Sequence, residues 1–112
     1  NLRIYKQDYS ELDRAITERE TLGRAIVYCD KKGMVYGADI LGNRAGELIH
    51  ELLMFKFYDI SLKKAADMIY AYPTYSEIIR KLGKQVYLND LESNPVVKAA
   101  SLVMGRGKKT KK

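Results

Sequence analysis

At 112 residues and 46% hydrophobic content, the chain has enough apolar material for one packed domain and too little length for two. The formal charge of +6 invites a nucleic-acid partner, but Arg106, Lys108, Lys109, Lys111 and Lys112 follow Gly105 with no acid among them; without them, 15 basic residues face 14 acidic ones. No apolar run approaches the roughly 18 residues of a membrane span, no secretory signal is visible, and the one cysteine, Cys29, excludes an internal disulfide framework or a cysteine-built zinc site. The composition reads as cytosolic: a domain over residues 1–104 and a basic, solvated, disordered tail over 105–112. That tail is expected to make at most a weak contact to phosphates or an anionic membrane. Asn1 is not an initiator Met, which reads as a processed or excised chain.

Leu2 to Tyr9 has the residue mix of a strand, and Ser10 is placed to cap a short helix that turns Leu12, Ala15 and Ile16 inward. Arg24 to Cys29 and Met34 to Leu41 read as two strands joined by the turn residues Asp30-Lys31-Lys32-Gly33, a β-hairpin. Both faces of these strands carry apolar side chains, so helices are expected on each. Gly42 to Glu47 breaks the strand and opens a helix that carries Leu48, Ile49, Leu52, Leu53, Phe55 and Phe57 over an arc too wide for one packing face. Ser61 is expected to cap a further helix, with Leu62, Ala65, Ala66 and Ile69 inward, ending near Tyr72 because Pro73 disfavours helix before it. Thr74 to Glu77 has the form of a capping box for a helix burying Ile78, Ile79, Leu82 and Val86. Asn94-Pro95 opens a last helix, with Val96, Val97, Ala100 and Met104 inward and Gly105 at its end. Strands first and helices afterwards predict an α+β fold.

Conventional catalytic signals are sparse. There is no dinucleotide-binding glycine motif, no phosphate-binding loop with its lysine, no cysteine pair and no histidine cluster. Gly42 to Gly46 stands between a strand and a helix but has the wrong spacing for phosphate, and close helix packing explains its small residues. His50 falls on the polar side of its helix beside Glu47 and Glu51 with no second ligand at metal spacing, so no metal site is expected.

One pair of segments is more specific. Ile40-Leu41-Gly42-Asn43-Arg44-Ala45-Gly46-Glu47-Leu48-Ile49 and, some way on, Tyr70-Ala71-Tyr72-Pro73-Thr74-Tyr75-Ser76-Glu77 appear in the order found in a known family. Together they resemble the C-terminal dimerisation domain of FAD-dependent pyridine nucleotide-disulfide oxidoreductases. The resemblance covers Leu2 to Leu91 and implies a two-layer α+β sandwich, an antiparallel sheet flanked by helices, whose surface forms a homodimer interface. It implies FAD and NAD(P)H in the full-length parent, held by upstream domains, with none bound to this chain alone and no turnover by it. In the family the residue before the proline is a histidine paired with the motif's glutamate; it serves the partner subunit's thiol site, while the adjacent carbonyl faces the flavin. The corresponding positions are Tyr72 and Glu77 for catalysis and Tyr72 and Pro73 for cofactor contact.

Tyrosine titrates near ~10 against ~6.5 for histidine, so Tyr72 would be a poor general base at neutral pH and a competent hydrogen-bond donor. Mercuric reductases are similar in carrying tyrosine here, but they end in a vicinal cysteine pair that this chain lacks, which leaves a mercuric reductase-like branch of open substrate. Two plainer readings stand beside these: Glu77 as a helix cap, and Tyr70, Tyr72 and Tyr75 as interface aromatics. A free-standing homodimerisation module without redox activity is the alternative function.

Overall fold

The computed structural model describes residues 1–109, with the backbone alone for 105–109. The segment that leads the chain forms strand β1 (Arg3–Asp8), which pairs antiparallel with β2 (Arg24–Cys29), and β2 pairs antiparallel with β3 (Val35–Leu41). Period-two alternation sets the faces: Tyr5, Gln7, Ala25, Val27 and Cys29 turn inward, and Ile4, Lys6, Ile26 and Tyr28 turn outward. The hairpin turn is closed by Asp30, whose carboxylate accepts the Lys32 and Met34 amides at 2.8 and 3.0 Å, and by Gly33 at φ 84°. Just beyond it the register slips: Cys29 faces Val35 and Tyr28 faces Gly37, so exposed Tyr36 is the extra residue of a bulge.

Helices α2 (Ala45–Phe57) and α3 (Glu77–Ser93) supply the second layer. Leu48 and Leu52 of α2 and Ile78, Ile79, Leu82 and Val86 of α3 close over Ala25, Val27 and Cys29, each of these aliphatic side chains worth ~1.5–3 kcal/mol when fully buried. A short 3-10 segment, Leu62–Asp67, lies against α3 where Gly83 removes the side chain that would obstruct it. The buried Gln7 amide is satisfied between the Glu11 carboxylate at 2.9 Å and Gln85 at 3.1 Å, which ties β1 to α3.

The α+β sandwich is as expected from the sequence, and several local expectations are corrected. Ser10 caps nothing: it sits within a 3-10 turn (Tyr9–Glu11), and α1 (Asp13–Thr17) starts three residues later with Leu12 and Ala15 buried and Ile16 exposed. Helices cover only the inner face of the sheet within this chain; Ile4 and Leu41 on the outer side are exposed. On α2 the wide apolar arc is buried on one side only: Leu48 and Leu52 are buried, while Leu53, Met54 and Phe57 are exposed.

Ser61 does cap, accepting the Lys63 amide, but only the 3-10 segment follows; Met68 is already extended, and Ile69 is 99% exposed rather than inward. The reason is tertiary, since the Leu62 amide bonds to the Gly33 carbonyl at 2.8 Å and fixes the segment to the hairpin turn. Asn94 caps α4 (Pro95–Lys109) as predicted, its Oδ1 accepting the Val96 amide at 2.9 Å. That helix continues through Gly105, and Val96, Ala100 and Met104 are exposed where α4 extends beyond its neighbour α3. Of the tail expected over 105–112, the last three residues lie outside the described residues.

Candidate functional site

The Tyr72-Pro73 turn bridges the 3-10 segment and α3, and its peptide bond is cis. Elements distant in sequence fasten it. The Tyr72 hydroxyl donates to Asp13 Oδ2 at 2.5 Å, and Arg14 Nη1 donates to the Pro73 carbonyl at 3.0 Å, so two consecutive residues of α1 hold two consecutive residues of the turn. On the α3 side, the Thr74 hydroxyl donates to the Ala71 carbonyl at 2.9 Å, and Ser76 donates to Glu51 of α2 at 2.7 Å. The turn is thereby fixed while the Tyr72 ring remains 68% exposed.

Behind it lies a polar junction built on the buried rings of Tyr9 and Tyr75. Tyr75 accepts from Asn43 Nδ2 at 3.0 Å and donates to Glu18 Oε1 at 2.8 Å, Glu18 in turn receives Arg14 Nε at 2.5 Å, and the Arg14 guanidinium lies 5.9 Å over the Tyr75 ring. Tyr9 donates to the Asn43 carbonyl at 2.7 Å and packs its ring 6.0 Å from that of Tyr75. Gly42 makes this possible: a Cβ there would stand 2.6 Å from the Tyr9 ring, and its φ of 145° is one that other residues rarely adopt. The loop from Gly42 therefore serves aromatic packing. Gly46, which the sequence groups with it, has nothing near enough to require a glycine.

The sequence-predicted site residues separate into two groups. Tyr72 pairs with Asp13 and not with Glu77. Glu77 is buried, accepts the Thr74 amide at 3.4 Å and receives Arg80 at 3.3 Å, which makes it one half of the expected capping box; the other half is absent because the Thr74 hydroxyl turns to Ala71. Asp13, Arg14, Glu18 and Asn43 were not singled out by sequence reasoning. Arg14 and Glu18 do carry the helical i, i+4 pairing signal, but nothing local tells that the pair would meet Tyr75.

Electrostatics follow the geometry. The Asp13 carboxylate, through its hydrogen bond and its charge, raises the Tyr72 phenol above its ordinary value, so Tyr72 stays protonated throughout the neutral range. Burial, and then the Glu51 charge, push Tyr70 up to about 12. Hydrogen bonds from Arg14 and then Tyr75 hold Glu18 below the usual carboxylate range. Burial pushes the Cys29 thiol up to about 11, which leaves it without thiolate character at neutral pH. His50 places Nδ1 2.7 Å from the Gly46 carbonyl one turn back, within its own helix.

This fold, and a tyrosine-proline turn clamped against the first helix, can be set against known proteins. Residues 1–82 match the profile of the pyridine nucleotide-disulphide oxidoreductase dimerisation domain. The chain belongs to that family. Among curated relatives, it is 27% identical over 81 residues to a dihydrolipoyl dehydrogenase of Corynebacterium glutamicum, which covers 71% of this chain and 17% of that protein. It is 30% identical over 86 residues to the mitochondrial dihydrolipoyl dehydrogenase 1 of Arabidopsis thaliana, covering 76% of this chain and 17% of that one. The dimerisation domain thus spans about a sixth of the length of the relatives it matches.

Solved structures agree on the fold. LpdA from Mycobacterium tuberculosis superposes with a TM-score of 0.70 at 21% identity, over 76% of this chain and 19% of that one. The HOCl-induced flavoprotein disulfide reductase RclA from Escherichia coli, solved as a Cu(II) complex, gives 0.71 at 22% identity, over 77% of this chain and 20% of that one.

Proposed function

We propose that this dimerisation domain belongs to a homodimeric, NAD(P)H-dependent FAD flavoenzyme of the cytoplasm, and that Tyr72 completes the thiol site of the partner subunit. The observation that carries the reading is the disposition of Tyr72: an exposed phenol on a turn that Asp13, Arg14, Thr74 and Ser76 hold in place. A side chain that serves a neighbouring molecule has to be both fixed and accessible, and this one is. Flavin, when bound by the parent protein, would supply the redox chemistry. The residues present fit a contact to it, since the Pro73 carbonyl keeps one lone pair after accepting Arg14.

Within that site Tyr72 acts as a donor. Asp13 keeps the phenol protonated, so it can hydrogen-bond a thiolate but cannot take a proton from a thiol at neutral pH as a histidine does. Arg14 and Glu77 hold the turn on its two sides. The tyrosine in place of histidine also supports a mercuric reductase-like branch, with the electron acceptor open. No observation favours the free-standing module.

Stopped-flow measurement of both half-reactions in the full-length protein tests the assignment. Tyr72→Phe is expected to slow the thiol-dependent half-reaction roughly tenfold or more, as loss of a hydrogen bond to a charged group does, while flavin reduction by NAD(P)H is unchanged. Equal slowing of both would remove Tyr72 from that role.

A further inference from the structure

Helix α4 (Pro95–Lys109) lies beyond residue 82, where the match to the family ends, and the sandwich does not explain it. Val96, Val97, Ala100, Val103 and Met104 follow the i, i+1, i+4, i+7, i+8 spacing of a single apolar stripe. Val96, Val103 and Met104 are 76%, 82% and 68% exposed, so most of the stripe has no cover among the described residues. From Pro95 to Lys112 the sequence also carries Lys98, Arg106, Lys108, Lys109, Lys111 and Lys112 and no acid, whereas the rest of the chain contains almost every charge in balance.

Charge and apolarity together select the occupant. A second copy of α4 would cover the stripe but offers no acid to any of the cations. A nucleic acid would meet the cations and leave the stripe in water. An anionic bilayer surface answers both, because a helix lying in its plane sinks its apolar face to the acyl boundary and keeps cations such as Lys98 among the phosphates. The helix is about 22 Å long and carries too many charges to cross the membrane. We propose that α4 is an in-plane anchor that docks the protein on anionic lipid. This inference stands apart from the redox reading and survives its failure.

Flotation of the intact protein with vesicles of phosphatidylcholine and phosphatidylglycerol in roughly equal parts, compared with pure phosphatidylcholine, tests it. Binding to the anionic vesicles is expected to be about tenfold stronger or more, and to weaken as salt is added. The paired substitution Val96→Asp and Val103→Asp, at sites too exposed to disturb the core, abolishes it, and Lys98→Glu weakens it roughly tenfold. Absence of flotation, or flotation that the aspartates leave intact, overturns the proposal. So does equal, aspartate-insensitive uptake by duplex DNA, or a change in oligomeric state as the only effect of the aspartates.

Discussion

Tyr75 shows how much one hydroxyl can organise. Its oxygen receives Asn43 from the loop after β3 and donates to Glu18 at the end of α1, while its own backbone belongs to the turn before α3. Removing the oxygen leaves the Asn43 amide without that partner, so Tyr75→Phe is expected to cost ~1 kcal/mol, read as a lower urea midpoint with an unchanged slope. The penalty has a pH dependence of known sign. Glu18 has a folded-state pKa below its unfolded value, so its contribution is present above the ordinary carboxylate pKa and is lost as pH falls through the folded value. The difference between wild type and Tyr75→Phe should therefore shrink on acidification below about pH 4. A difference independent of pH would mean that the bond to Glu18 contributes nothing.

At the scale of the elements, α3 is the organising piece, because it touches β1, α2, α4 and the 3-10 segment. Gly83 on α3 is what lets the 3-10 backbone approach: an added Cβ would stand 2.6 Å from the Leu62 carbonyl oxygen and 2.8 Å from the Ala65 Cβ. Two effects oppose each other in Gly83→Ala. Helix propensity gains ~1 kcal/mol, while the overlap falls on backbone that the Leu62 amide has already tied to Gly33, and overpacking of that kind costs ~1–3 kcal/mol. The steric term wins because no flexible side chain can yield. A net loss of thermal stability is expected by calorimetry, and a gain would show that the 3-10 segment shifts freely.

For the whole molecule, the informative surface is the outer side of α2, where Leu53, Met54 and Phe57 are exposed together and Met68, beside Met54, extends the apolar area. Single exposed apolar residues are ordinary, but a contiguous group is large enough to serve as a contact surface, and self-association through it is the prediction. Phe57, 78% exposed, contributes little to the fold of one protomer. Phe57→Glu in the full-length protein is expected to weaken self-association tenfold or more in sedimentation equilibrium, with an unchanged circular dichroism spectrum. A dimer as tight as the wild type would place the contact elsewhere, with the open outer face of the sheet as the next candidate.

The runs Arg24 to Cys29 and Met34 to Leu41 already specified the hairpin, because the period of a strand is a local property, but with apolar side chains on both faces they predicted cover on each, and only one face has it here. The stripe of Ile78, Ile79, Leu82 and Val86 specified α3 in the same way, Asn94-Pro95 specified the start of α4, and the two family segments pointed to Tyr72. None of this decided partners. Tyr72 meets Asp13 and not Glu77, and Arg14 holds the Pro73 carbonyl, across separations of 59 residues that no local pattern encodes. Exposure was equally out of reach, since an apolar residue such as Ile69 or Phe57 has the same periodicity whether or not another surface arrives to cover it. Burial requires two surfaces, and the spacing along a chain describes only one of them.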